Sequence, residues 1–127
     1  GTREKDIYGP ATLEEIHTKL EDNSKNQNIQ IQCFQSNSET EIIELIQDAQ
    51  NKFDGIIINA GGYTHTSVAI RDALKYFSGY KIEIHMSNIH AREKFRDISM
   101  ISGVCDGIII GFGAQSYFLA LEAIKQI

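Results

Sequence analysis

Proline occurs once, at Pro10, and cysteine twice, at Cys33 and Cys105. Nowhere do apolar residues run for the ~20 positions that a membrane-spanning helix needs. The opening GTREKDIYG has no apolar signal-peptide core. The cysteines lie in or beside apolar runs, without a CxxC pair or metal-ligand spacing. They are therefore expected to be reduced core residues of a cytoplasmic protein. Positive charge is also scarce: 12 Lys and Arg against 17 Asp and Glu give a formal net charge of −5. That balance argues against nucleic acid or an anionic membrane as partner. Linkers and low-complexity segments are missing too, and 127 residues of ordinary composition suit a single domain over residues 1–127.

Alternating helix and strand patterns fill the chain. Thr12 and Glu15 form a capping-box pattern ahead of Leu13, Ile16 and Leu20 at helical spacing. Ile29, Ile31 and Cys33 alternate with glutamines, which predicts a strand with one wetter face. Ser38 and Glu41 repeat the capping pattern before a helix face of Ile42, Leu45, Ile46 and Ala49. Gly55–Ile58 is a short continuous apolar run, as in a strand buried on both faces. A helix over Ser67–Tyr76 follows, then a strand over Lys81–His85 and a short polar helix over Asn88–Arg96. A buried strand over Ile108–Ile110 and a closing helix over Ala114–Ile127 complete the order. This order predicts an α/β fold with a doubly wound, mostly parallel sheet. Such a fold normally opens on a strand, whereas this chain opens on a polar loop and a helix, so an upstream strand is expected to be missing.

Open α/β sheets bind ligands beyond the carboxyl ends of their strands. After Ile58 come Asn59, Tyr63, His65, Thr66 and Ser67. His85 ends the next strand and is followed by Met86, Ser87, Asn88 and His90, then Arg92 and Arg96. The last strand leads into GFGAQS, and the N-terminal loop holds Arg3, Glu4, Asp6 and Tyr8. Titratable side chains thus gather on one rim, as at an active site. A loop histidine by itself is more often a solvated side chain than a catalyst, but His65 and His85 at two strand ends strengthen each other. His17 reads as a solvent-facing helix residue and His90 as a helix-start residue. Two or three histidines do not make a metal site. GFGAQS lacks the third glycine and the downstream acid of a dinucleotide loop, so its glycines read as turn and packing residues.

The blocks GTREKDIYG, FQSNSE, GIIINAGGYTHTSVAIRDAL, EIHMSNIHAREKFR and GFGAQSYFLAL closely resemble, in order, those of the type II 3-dehydroquinate dehydratases. The resemblance runs from Gly1 to about Ile124. It implies a flavodoxin-like fold and a lyase that converts 3-dehydroquinate to 3-dehydroshikimate by anti elimination of water through an enolate. It also implies no metal, no cofactor and no Schiff base. The setting would be the shikimate pathway of aromatic amino acid biosynthesis, or quinate catabolism. By the same resemblance Tyr8 is the general base and Arg3 holds it ionised, which fits the lowering of a phenol's pKa by a nearby cation. His85 is the general acid and Glu83 orients it. Asn59, His65, Met86, Ser87 and Arg96 hold the substrate. Asp72 reaches a neighbouring subunit's site, because the family forms trimers packed into dodecamers.

The chain departs from that pattern in places. The family's opening strand and GPNLNLLG segment, with an asparagine that helps to hold the enolate oxygen, are absent. A central strand of ~4 buried aliphatic side chains contributes ~1.5–3 kcal/mol each, so a monomer without it is expected to be unstable. Lys5 replaces a usual proline and Met86 a usual isoleucine or leucine. The alternative reading is accordingly an inactive dehydroquinase-like fragment or paralogue acting as a binding or assembly module. A flavodoxin-like nucleotide binder would require a phosphate-cradling loop that the sequence does not show.

Overall fold

The computed structural model describes residues 12–25 and 28–126. Helix α1 spans Leu13–Lys25 and α2 spans Glu39–Ala49, followed by strand β1 at Gly55–Ile58. Helix α3 covers Val68–Tyr76, β2 Tyr80–His85, β3 Gly107–Ile110 and α4 Gln115–Lys125. The helix starts follow from their caps. Thr12 Oγ1 accepts from the Glu15 N–H at 3.1 Å, and Ser38 Oγ accepts from the Glu41 N–H at 3.3 Å. Ser67 Oγ accepts from the Ile70 N–H at 2.9 Å. Each supplies an acceptor to an otherwise orphaned N–H of a first turn. At Ser38 the other half of the expected capping box is replaced, since the Ser38 N–H donates to Ser36 Oγ.

The three strands are parallel in the order β1-β2-β3. Ile58 pairs with Glu83, and Glu83 with Ile108. As the middle strand, β2 is flanked on both sides, and Ile82, Glu83, Ile84 and His85 are all buried. The two-residue period of a strand sends these four side chains to opposite faces. Ile82 and Ile84 pack with Ala120 of α4, while Ile16, Leu20 and Leu121 form the neighbouring cluster from α1 and α4. Ile58 packs on the other side with Ile46 and Ala49 of α2, Ile70, Ala73 and Leu74 of α3, and Ile101. Helices thus cover both faces, and the doubly wound, flavodoxin-like α/β fold expected from the sequence is the one observed.

Two expected elements differ. The segment from Ile29 to Cys33 keeps its alternation, with Ile29, Ile31 and Cys33 packed on the α1/α4 cluster and Gln30 and Gln32 less enclosed. It is nevertheless not a sheet strand among the described residues. Alternation decides which side chains turn inward, but a strand also needs a neighbour to complete its backbone hydrogen bonds. The expected helix over Asn88–Arg96 is two 3-10 turns, Ile89–Ala91 and Lys94–Asp97. Their polar residues offer no continuous apolar stripe to hold a longer helix. His17, expected to face solvent, is half-buried on α1. Among the described residues, no helix is long and apolar enough to cross a membrane. Both cysteines are free and half-buried. Burial pushes the Cys105 thiol up to about 12, with the charge of Glu83 adding to it, and pushes Cys33 up to about 11.

The turn between α3 and β2 is closely packed. Lys81 Nζ donates to the carbonyls of Leu74 at 3.1 Å and Phe77 at 2.9 Å, so a cation closes the C-terminal end of α3. Beside it, a Cβ added at Gly79 would stand 2.3 Å from the Asp54 carbonyl oxygen and 2.7 Å from the Phe77 ring. The Asp54 oxygen also accepts the Tyr80 N–H, so the backbone there cannot withdraw freely. Gly79→Ala is expected to lower the unfolding free energy by about 2 kcal/mol or more, read from urea denaturation. An unchanged midpoint would show that this turn yields.

Candidate active site

The carboxyl end of β2 sets Glu83 and His85 on the same face, turned toward the α2/α3 side. Glu83 is 0% exposed and His85 4%. A carboxylate at that depth must be fully hydrogen-bonded to remain charged. Its Oε2 accepts from His85 Nε2 and from Ser99 Oγ, the latter at 3.0 Å, and its Oε1 accepts from Ser102 Oγ. Burial alone would push this carboxyl up. The hydrogen bonds from His85 and Ser102, the charge of His85 and the hydrogen bond from Ser99 together outweigh it, and Glu83 is held below its ordinary value. With Nε2 committed to Glu83, His85 keeps Nδ1 for other work, and that nitrogen has no hydrogen-bond partner among the described residues.

A second histidine lies alongside. After β1 the chain turns at Gly61, whose φ of 56° is the left-handed region that glycine adopts readily. A 3-10 turn over Gly61–His65 then brings His65 onto His85, with ring centroids 6.4 Å apart and planes 21° apart. His65 Nδ1 is 2.8 Å from the Ile98 carbonyl oxygen. A carbonyl only accepts, so Nδ1 carries the proton and Nε2 is an acceptor in the neutral ring. Phe95 meets His65 edge-on at 6.0 Å, and the Arg96 guanidinium lies 4.9 Å above the Phe95 ring. Arg96 also donates from Nε to Glu93 Oε1 at 3.2 Å.

Asn59 stands at the end of β1. Its Oδ1 accepts the Gly61 N–H at 3.2 Å and its Nδ2 donates to the Tyr117 hydroxyl at 3.3 Å. Burial first, and Cys33 last, push the Tyr117 phenol above its ordinary value against the hydrogen bond from Asn59. Met86 packs into the α1/α4 cluster, and its carbonyl accepts the Gly113 N–H at 2.8 Å. Ser87 follows, half-buried. The GFGAQS glycines work as turn residues, with Gly111 at φ 96° and Gly113 at φ 58°.

Of the residues expected from the sequence, Glu83, His85, His65 and Arg96 gather at one end of β2, with Asn59, Met86 and Ser87 on the same rim. Asp72 does not join them. It sits exposed on α3, 3.5 Å from Arg71. Arg3 and Tyr8 lie outside the described residues. His90 is exposed and faces Asp97 at 3.3 Å. Sequence reading missed Ser99, Ser102, Phe95 and Tyr117. Ser99 stands in irregular chain and Phe95 and Ser102 in short 3-10 turns, with no apolar period to mark them, and Tyr117 reads as one more apolar helix residue.

A family model described as Dehydroquinase class II matches residues 1–125. The chain belongs to the class II dehydroquinase family. The 3-dehydroquinate dehydratase of a Nitratiruptor species is 51% identical over 127 residues, which is 100% of this chain and 81% of that protein. That of Campylobacter jejuni subsp. jejuni is 50% identical, across 100% of this chain and 80% of the relative. The crystal structure of a type II dehydroquinase from Butyrivibrio crossotus superposes with a TM-score of 0.91 at 46% identity, covering 97% of this chain and 86% of the other. The dehydroquinase fold therefore carries the buried Glu83–His85 pair at the sheet end where α/β folds place their ligands.

Because folding holds the Glu83 carboxyl below its ordinary value, ionised Glu83 stabilises the fold above the ordinary glutamate pKa of ~4.3. That contribution disappears as the pH falls through the lower folded value. Glu83→Gln should lower stability at neutral pH by about 3 kcal/mol, as when one member of a buried pair is removed. It should also flatten the acid limb of a plot of melting temperature against pH. Parallel acid limbs for the two proteins would mean that Glu83 is not the group titrating there.

Proposed function

We propose that this chain, acting as one domain over residues 1–127, removes water from 3-dehydroquinate to give 3-dehydroshikimate. The observation that carries the reading is the buried Glu83–His85 pair at the end of the central strand, in a chain about half identical to 3-dehydroquinate dehydratases over its whole length.

Tyr8, as tyrosinate beside Arg3, takes the proton next to the ketone, and the electron pair left behind forms the enolate. Collapse of the enolate expels the hydroxyl, which takes a proton from His85 Nδ1 and leaves as water. One proton is gained by Tyr8 and one lost by His85, so a transfer from phenol to imidazole through solvent restores both groups. Glu83 accepts the hydrogen bond of Nε2–H throughout, which fixes the ring so that Nδ1 faces the substrate. Tyr117 does not compete as base, because its raised phenol stays neutral. Asn59, His65, Met86 and Ser87 hold hydroxyls and carboxylate along the rim, and Arg96 meets the carboxylate. Asp72, exposed on α3, is the residue that reaches a neighbouring subunit's site, within trimers packed into a dodecamer. The reaction needs no metal and no cofactor, and the enzyme works in the cytoplasm.

Turnover is read as the rise in ultraviolet absorbance when the conjugated product forms. His85→Ala should lower kcat by ~10²–10⁴-fold, the range for one general acid or base, and Tyr8→Phe should abolish proton abstraction. Arg96→Ala should raise KM strongly with a smaller effect on kcat. A chelator should change nothing. A folded protein without turnover would leave the chain a binding or assembly module, and substantial activity of the Tyr8→Phe variant would remove Tyr8 as base.

A further inference from the structure

The Glu83–His85 pair depends on a short segment that carries none of the residues assigned above to substrate or proton transfer. Ser99 Oγ accepts the N–H of Ile101 at 3.1 Å and of Ser102 at 3.0 Å, and is 3.0 Å from Glu83 Oε2. A serine hydroxyl has two acceptor positions and one proton. Both acceptor positions are filled by backbone N–H groups, so the proton has one destination, Glu83. This hydroxyl cannot turn round to accept a proton from Glu83. Ser102 adds a second donor on the other carboxylate oxygen. Both serines favour the ionised carboxylate, and a carboxylate toward His85 requires Nε2 to be the nitrogen that bears hydrogen.

The segment is itself held in place. The Ile101 side chain is 0% exposed in the α2/α3 cluster. The Met100 N–H donates to the Thr64 carbonyl at 2.7 Å, one residue before His65. The Ile98 carbonyl accepts from His65 Nδ1. The stretch from Ile98 to Ser102 therefore fixes the orientation of both histidines. Other ionisable groups close to Glu83 do not take over this work. Cys105 stays a neutral thiol, and Lys81 spends its ammonium on the end of α3.

We propose that Ser99 and Ser102 are positioning residues for the dehydration, holding Glu83 ionised and aimed at His85 so that Nε2–H stays bonded to the carboxylate and Nδ1, protonated in the reacting state, faces the substrate. This rests on the reading of His85 as the proton donor. Removing the partner that orients a metal-bound histidine costs about 10–100-fold, and a loss of the same order is expected for this metal-free pair.

The test uses the nitrogen-15 resonances of the His85 ring, together with kcat and KM, in the wild-type protein and in Ser99→Ala, Ser99→Thr, Ser102→Ala and His85→Ala variants. Wild type and Ser99→Thr should show the Nε2–H tautomer. The two serine-to-alanine variants should show mixed tautomers and a kcat lower by about 10–100-fold, with KM within about twofold. Ser102→Ala removes a side-chain donor and no acceptor of a backbone N–H, so it remains informative if Ser99→Ala does not fold. An unchanged tautomer in Ser102→Ala overturns the proposal. So does a lost tautomer with full kcat when His85→Ala is inactive. If His85→Ala itself keeps full kcat, the proton-donor reading fails, and the positioning role for catalysis falls with it even where the ring spectra change.

Discussion

A charged carboxylate with no exposure to water sits at the centre of this molecule, and its neighbours are arranged to make that tolerable. Glu83 occupies the middle strand, between the aliphatic side chains of Ile58 and Ile108 in register. An isolated charge there would cost several kcal/mol or be neutralised. Three donors from two parts of the chain prevent this: His85 on the same strand and the two serines of the loop before β3. The interaction that makes the charge tolerable also orients an imidazole, so the requirements of stability and of chemistry meet in one group.

The layered fold explains why this happens at one end of the sheet. A parallel sheet covered by helices on both faces leaves its strand ends as the place where polar side chains can emerge. Among the described residues β2 is the strand with neighbours on both sides, and its last residue, His85, is buried. The loops after β1 and β2 then converge there. The first brings His65 onto His85, and the second brings Arg96 over Phe95 beside it. The glycines after β3 let backbone N–H groups close on the carbonyls of His85 and Met86, tying the third loop to the same rim.

Apolar spacing was a dependable guide where it answered to packing. The helix faces of Ile16 and Leu20 and of Ile46 and Ala49 are buried as their spacing required. The capping patterns at Thr12 and Ser38 marked two helix starts. Spacing was a poor guide to backbone pairing, as the segment at Ile29–Cys33 shows, because alternation records exposure and says nothing of a lateral neighbour. It was also a poor guide in the polar stretch after β2, where no apolar stripe exists to read.

By itself the sequence determined the order of the four helices and three strands named above, the parallel sheet and the rim on which His65, His85 and Arg96 lie, because those depend on periodicity and on where strands end. Its motifs also carried the family. Only the tertiary structure decided that Glu83 is fully buried, that Ser99 and Ser102 are the groups that keep it charged, and that Asp72 stands apart from the cluster. The hold of the two serines on Glu83 depends on contacts between residues 16 and 19 positions apart in the chain, which no local pattern records.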